Sequence, residues 1–142
     1  MFISDLKLGK KYEKKLLEML IYDSFTHQCG YCKEYDFTIT KDGITTKYEV
    51  KSDRRAINTN NVAIECECNN KPSGITSTEA DIYAYFIIKS PELFDLYLIP
   101  VKDLRKMITE KKYNRQVNGG DGWRSKMYLI SLNELQQYIY KQ

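Results

Sequence analysis

Histidine is almost missing from this sequence: His27 is the only one in 142 residues. A lone histidine supplies neither a pair of imidazole metal ligands nor a ready base for a serine or cysteine nucleophile, so those chemistries are set aside and His27 reads as a loop or surface residue. Long apolar runs are missing too, and nothing approaches the ~18 residues of a membrane span. The start, Met1 to Lys7, has an early acid and no apolar core, so it is not a signal peptide. The expected location is therefore the cytoplasm, with four reduced cysteines. Net charge is only +3, too little to establish a nucleic-acid partner. No repeat, low-complexity tract or domain boundary is visible, which predicts one domain over residues 1–142, long enough to bury its own core.

What is present is a hairpin with an unusual charged face. Tyr35 to Thr40 and Thr45 to Lys51 alternate on either side of Asp42-Gly43, a two-residue turn signal in which both central positions want positive φ. With that turn, Lys41 faces Ile44 and Asp36 lies opposite Glu49, with Lys51 two residues further along on the same side. Phe37, Ile39, Tyr48 and Val50 point the other way, toward a core. Opposed like charges weaken a hairpin unless a cation sits between them. The residues alone also fit a surface ion-pair ladder, with Lys51 facing Glu34.

Upstream, helical spacing over about Asp5 to Ile21 places Leu6, Gly9, Leu16, Leu17 and Leu20 on one face and Lys11, Lys14, Lys15 and Glu18 on the opposite one. Glu13 falls inside the apolar stripe, where a carboxylate needs a partner. Lys10, one turn away, could pair with it, or Glu13 could reach toward the same cation as Asp36 and Glu49. Downstream, Asn61 to Cys68 alternates as a strand; placed beside the Glu49 strand it would let Glu65 or Glu67 join the carboxylates. Thr78 and Asp81 have capping spacing for a short helical turn. Ile82 to Ile88 and Phe94 to Ile99 suggest a second hairpin. A helix is predicted over Val101 to Lys112, then a glycine loop around Trp123, a strand from Met127 to Ile130, and a helix from Ser131.

A helix glutamate, an aspartate on a strand, a hairpin and Glu-x-Lys on the next strand resemble the PD-(D/E)xK nuclease superfamily, which includes restriction-type endonucleases, Holliday-junction resolvases and phage or viral nucleases. The matching positions are Glu13, Asp36, Glu49 and Lys51, and Ile64 to Glu67 with Lys71 to Asp81 is similar to segments downstream of the motif in phage-type members. Tyr35 stands where the family's name has proline. The resemblance spans roughly Leu6 to Ile88. It implies an α/β fold with a restriction-endonuclease-like mixed central sheet flanked by helices, and a metal-dependent deoxyribonuclease activity, with branched recombination or repair intermediates among the candidate substrates. In that reading Asp36, Glu49 and the Val50 carbonyl are hard oxygen ligands for Mg²⁺, with Mn²⁺ as a substitute, and Lys51 stabilises charge on the phosphate. It also implies a homodimer and, for a viral member, the host cell's cytoplasm. The competing reading is a catalytically idle nucleic-acid-binding or assembly domain on the same scaffold.

From Lys102 to Lys126 eight basic residues face three acids, a candidate phosphate-tracking surface. Lys111, Lys112, Arg115 and Arg124 are its candidate contacts, with Arg54 and Arg55 beside the Glu-x-Lys strand. Trp123 is the candidate stacking aromatic, unless it anchors its loop to the core. Cys29 and Cys32 have zinc-ligand spacing, and Cys66 and Cys68 share one side of their strand, which would make a small zinc-stabilised module. Because Cys66 lines up with Val62 and Ile64, unliganded thiols are the expectation.

Overall fold

The computed structural model describes residues 2–28 and 35–141. Two sheets form, and one residue pair explains the first of them. Asp42 and Gly43 both take positive φ (51° and 79°), the mirror-image turn that suits strand twist. This turn joins β2 (Phe37–Lys41) to β3 (Ile44–Asp53) in the expected register, Phe37 opposite Tyr48 and Lys41 opposite Ile44. On the far side β3 pairs in parallel with β6 (Ile82–Ser90), which turns back antiparallel into β7 (Leu93–Pro100). A strand not expected from the sequence, β1 (Ser24–His27), completes the order β1-β2-β3-β6-β7. Its alternation is too short to register, and all four of its residues are exposed. Among the described residues the sheet is thus mixed, with a single parallel pair.

One face of this sheet is covered by helix α1 (Phe2–Met19), which buries Tyr12 and Leu16 against Phe37, Ile39, Tyr48, Ala84, Phe86, Ile88 and Leu96. The buried side of α1 therefore centres on Tyr12 and Leu16. Glu13 and Leu17 are half-buried and stand at its border rather than inside the stripe. The tyrosine was the missing apolar anchor: its ring packs 4.8 Å from that of Phe86.

The opposite face carries Tyr83, Tyr85, Ile87, Tyr97 and Ile99, covered by α2 (Ala56–Thr59), α3 (Val101–Thr109) and a second sheet. That sheet has the order β5 (Lys71–Pro72), β4 (Asn61–Cys68), β9 (Ser125–Ser131), β8 (Arg115–Gly119). So β4 does not pair beside the Glu49 strand, and neither Glu65 nor Glu67 joins the carboxylate pair. Glu67 instead meets Lys126 at 3.2 Å. A bulge between Glu65 and Glu67 also breaks the strict alternation expected for β4. Gly74 (φ 52°) starts a 3₁₀ turn pressed against the Glu65 carbonyl, where any Cβ would collide.

Two further expectations are corrected. No helical turn forms from Thr78 to Asp81: the Asp81 carboxylate accepts the Lys47 backbone N–H at 2.8 Å while the Asp81 N–H donates to the Lys47 carbonyl. This link seats the start of β6 beside β3. The last helix is 3₁₀ (Leu132–Tyr138), and burial of Leu132 and Leu135 three residues apart fits that tighter period. Among the described residues no helix is long and apolar enough to cross a membrane.

Candidate functional site

Unequal strand lengths create the site. β3 runs ten residues and β2 five, so β3 continues past the start of β2 and its edge opens from Glu49 onward. Asp36 stands at that opening. Its N–H still donates to the Tyr48 carbonyl at 2.8 Å, and its Oδ2 accepts the Val50 N–H at 2.7 Å, in place of the backbone acceptor that β2 no longer offers. A strand residue presents its N–H and C=O to the same neighbour, so the Val50 carbonyl faces this opening as well.

Glu49 is in register with Tyr83, lies on the face of the first sheet that carries Tyr83 and Tyr85, and is only 8% exposed. One oxygen, Oε2, meets Lys51 Nζ at 2.8 Å; the other, Oε1, accepts the Thr78 hydroxyl at 3.3 Å. The Lys51 side chain is 41% exposed and its ammonium also lies 5.8 Å from the Tyr83 ring centre. Thr78 is itself held in place, because its carbonyl accepts from the Arg105 guanidinium at 2.9 Å and its hydroxyl accepts the Ala80 N–H.

The carboxylates share one electrostatic environment. Burial pushes the Asp36 carboxyl above its ordinary value; the Val50 N–H opposes this, the Glu49 charge adds to it, and Lys51 and His27 oppose it. Glu13 comes over from α1. Desolvation first, then the Asp36 charge, raise it to about 7, and the nearby Lys10 lowers it only partly. No Glu13–Lys10 ion pair forms among the described residues. Glu13 and Asp36 face a shared cleft of about 630 Å³ bordered by Lys10, Lys14, His27 and Tyr35.

Asp36 is thus brought near Glu49 with its Lys51 and, across the cleft, near Glu13. His27 was set aside for want of a partner, yet β1 carries it to the cleft, where its charge acts on Asp36. Only its place on an edge strand reveals this, and four exposed residues carry little sign of a strand. No group of three or more acid, histidine or cysteine side chains among the described residues is spaced as a ready metal cage. Magnesium seldom requires one: it is commonly held by one or two carboxylates, with waters and substrate phosphates completing the octahedron. Two coupled carboxylates and a main-chain carbonyl are a donor set that fits.

The remaining candidates scatter. Arg54 and Arg55 are exposed just beyond β3, where Asp53 Oδ1 caps α2 by accepting the Arg55 and Ala56 N–H groups. Lys111, Arg115 and Arg124 are exposed, while Lys112 pairs with Glu110 at 3.5 Å. Trp123 is 75% exposed and does not anchor its loop. Cys66 and Cys68 are half-buried free thiols; Cys66 donates to the Lys126 carbonyl, and burial pushes it up. Cys29, Cys32 and Glu34 lie outside the described residues.

No protein-family model and no curated protein matches this sequence. Among solved structures the chain is similar to a bacterial homing endonuclease, I-Ssp6803I, with a TM-score of 0.54 and 17% sequence identity, over 94% of this chain and 84% of that one. The fold is therefore a mixed α/β one, a five-stranded mixed sheet flanked by helices, of the kind that endonuclease has.

Proposed function

We propose that this chain is a divalent-metal-dependent deoxyribonuclease of the PD-(D/E)xK type, cutting internal phosphodiester bonds. The observation that carries the reading is the nearly buried Glu49, joined to Lys51 at 2.8 Å and coupled to an Asp36 whose carboxyl burial has already raised. A fold that collects acids this way, at an open strand edge, gains most when a cation enters. The likeness to a homing endonuclease supports the same class of activity.

Asp36, Glu49 and the Val50 carbonyl would hold Mg²⁺ or Mn²⁺, which supplies an acidified water and a clamp on a phosphate oxygen. With a cation held there, Lys51 would be free of Glu49 to orient the attacking water and to stabilise the negative charge building on phosphorus. Thr78 keeps Glu49 from swinging out. Glu13 faces Asp36 across the cleft and adds a third carboxylate when positive charge arrives. Arg54, Arg55, Lys111, Lys112, Arg115 and Arg124 are proposed backbone contacts, DNA the partner, branched DNA among its forms, a homodimer the assembly and the cytoplasm the location.

A second reading has one observation in its favour: Lys51 already neutralises Glu49 internally, as it would in an idle nucleic-acid-binding domain. Incubation with duplex, single-stranded and branched DNA in Mg²⁺ and in Mn²⁺, with chelator controls, separates the two. Metal-dependent internal cuts are expected. Binding without cleavage in either metal selects the idle domain.

A further inference from the structure

Helix α1 carries Lys7, Lys10, Lys11, Lys14 and Lys15. Two are engaged locally: Lys11 donates to the Pro91 carbonyl at 3.4 Å, and Lys15 lies 5.9 Å from the Phe94 ring centre. Lys7, Lys10 and Lys14, at i, i+3 and i+7, share one side of the helix and make no ion pair among the described residues. Neighbouring like charges at helical spacing oppose the helix that displays them. A lasting anionic partner removes that opposition.

The position of the ridge says which partner. Lys10 and Lys14 border the cleft that Glu13 and Asp36 face. On the other flank of α1, Leu8, Lys11 and Tyr12 border a second cleft with the exposed Arg54, at the end of the strand that bears Glu49 and Lys51. Acids lie within, and unpaired cations stand on either side. A small anion would satisfy one lysine. Only a polyanion with regularly spaced charges satisfies the ridge while placing one phosphate over the acids.

We propose that the Lys7–Lys10–Lys14 ridge of α1 is the track along which a nucleic-acid backbone is led into the carboxylate cleft. This rests on the nuclease reading and adds to it a surface that borders the carboxylate cleft itself. Lysine ammonium groups are point charges that bind phosphates without reading bases, so the track carries affinity and not sequence preference.

The test is a comparison of the wild type with Lys10→Gln/Lys14→Gln, glutamine being a good helix former. Binding of a labelled DNA duplex is followed over a range of salt, with Ca²⁺ in place of Mg²⁺ so that strands stay intact. Circular dichroism checks the helix. The expected result is a slope of log K against log salt flatter by about 2, and affinity weaker by roughly tenfold near 0.1 M salt. An unchanged slope, while the wild type binds DNA, overturns the track and leaves the nuclease reading standing. A wild type that binds DNA through these lysines but never cuts supports the track and removes the catalytic reading alone. A wild type that binds no nucleic acid overturns both. Loss of binding to phosphatidylserine vesicles, with DNA binding untouched, would assign the ridge to a membrane surface and overturn the track.

Discussion

The carboxylate opening beside β3 and the basic stretch from α3 to β9 are both dense in charge, and the fold treats them in opposite ways. Along the basic stretch, Lys106 and Lys112 flank Glu110 at 3.9 and 3.5 Å, Lys126 meets Glu67 at 3.2 Å, and Arg105 is spent on the Ile75 and Thr78 carbonyls at 2.9 Å each. Local structure answers much of that charge. At the opening, Asp36 feels the charge of Glu49, which holds Lys51 at 2.8 Å, and itself acts on Glu13, and the Asp36 and Glu13 carboxyls are both raised above their ordinary values. Carboxyls raised by burial and mutual repulsion are the better mark of a site than charge density, because a fold keeps them at a cost to stability.

The largest break in this contrast is expected from Glu49→Gln and Asp36→Asn, which keep size and hydrogen bonding but remove charge. Each should lower DNA cleavage by at least about 100-fold with an unchanged circular dichroism spectrum. Residual activity within a few-fold of wild type would show that the acids are structural.

Next comes Lys51→Ala. Turnover should fall by about 100-fold while Mn²⁺ binding, read by calorimetry in the presence of DNA, is kept or strengthened, because Glu49 loses its internal competitor. Loss of metal binding instead would make Lys51 a support for Glu49 rather than a participant.

Charge removal at Lys111, Lys112, Arg115 and Arg124 sharpens the other half of the contrast. Lys112 is already paired, so the salt slope should flatten by about 1 per exposed contact actually made, and by less than four in total, with substrate preference unchanged. A flattening close to four would mean that the Lys112–Glu110 pair opens freely on DNA.

The smallest effect concerns Glu13 and stability. Its folded value of about 7 lies above the ordinary 4.5, so between these values the folded protein holds a proton that the unfolded chain gives up. Stability then falls as pH rises through that window. Glu13→Gln cannot ionise, and should match the wild type near pH 4.5 but exceed it at pH 8, by about 1 kcal/mol once solvent screening is allowed for. Urea unfolding at both pH values checks this, and no gain at pH 8 would place Glu13 in water.

The hairpin was legible because its information is local. Asp42-Gly43 fixes the turn, the turn fixes the register, and the register fixes which side Asp36, Glu49 and Lys51 share. Glu13 was legible as a misplaced charge, though its place at the border of the buried stripe depended on Tyr12, whose hydroxyl disguised an apolar role. What escaped was set by tertiary context. β1 is four exposed residues that form a strand only because β2 offers an edge, and with it went the approach of His27 to the cleft. β8 is largely polar and likewise owes its pairing to β9. The placing of β4 in a second sheet could not be read from its alternation, which is the same whichever neighbour it takes.

The central claim, that the acids at the open edge of β3 hold a divalent cation, is tested most directly by crystals grown with DNA and Mn²⁺. The account predicts an anomalous peak about 2.1 Å from oxygens of Asp36 and Glu49, with Lys51 Nζ moved away from Glu49 toward the phosphate. Clear density for DNA at the cleft, no peak between the two carboxylates and an intact 2.8 Å Lys51–Glu49 pair would contradict it.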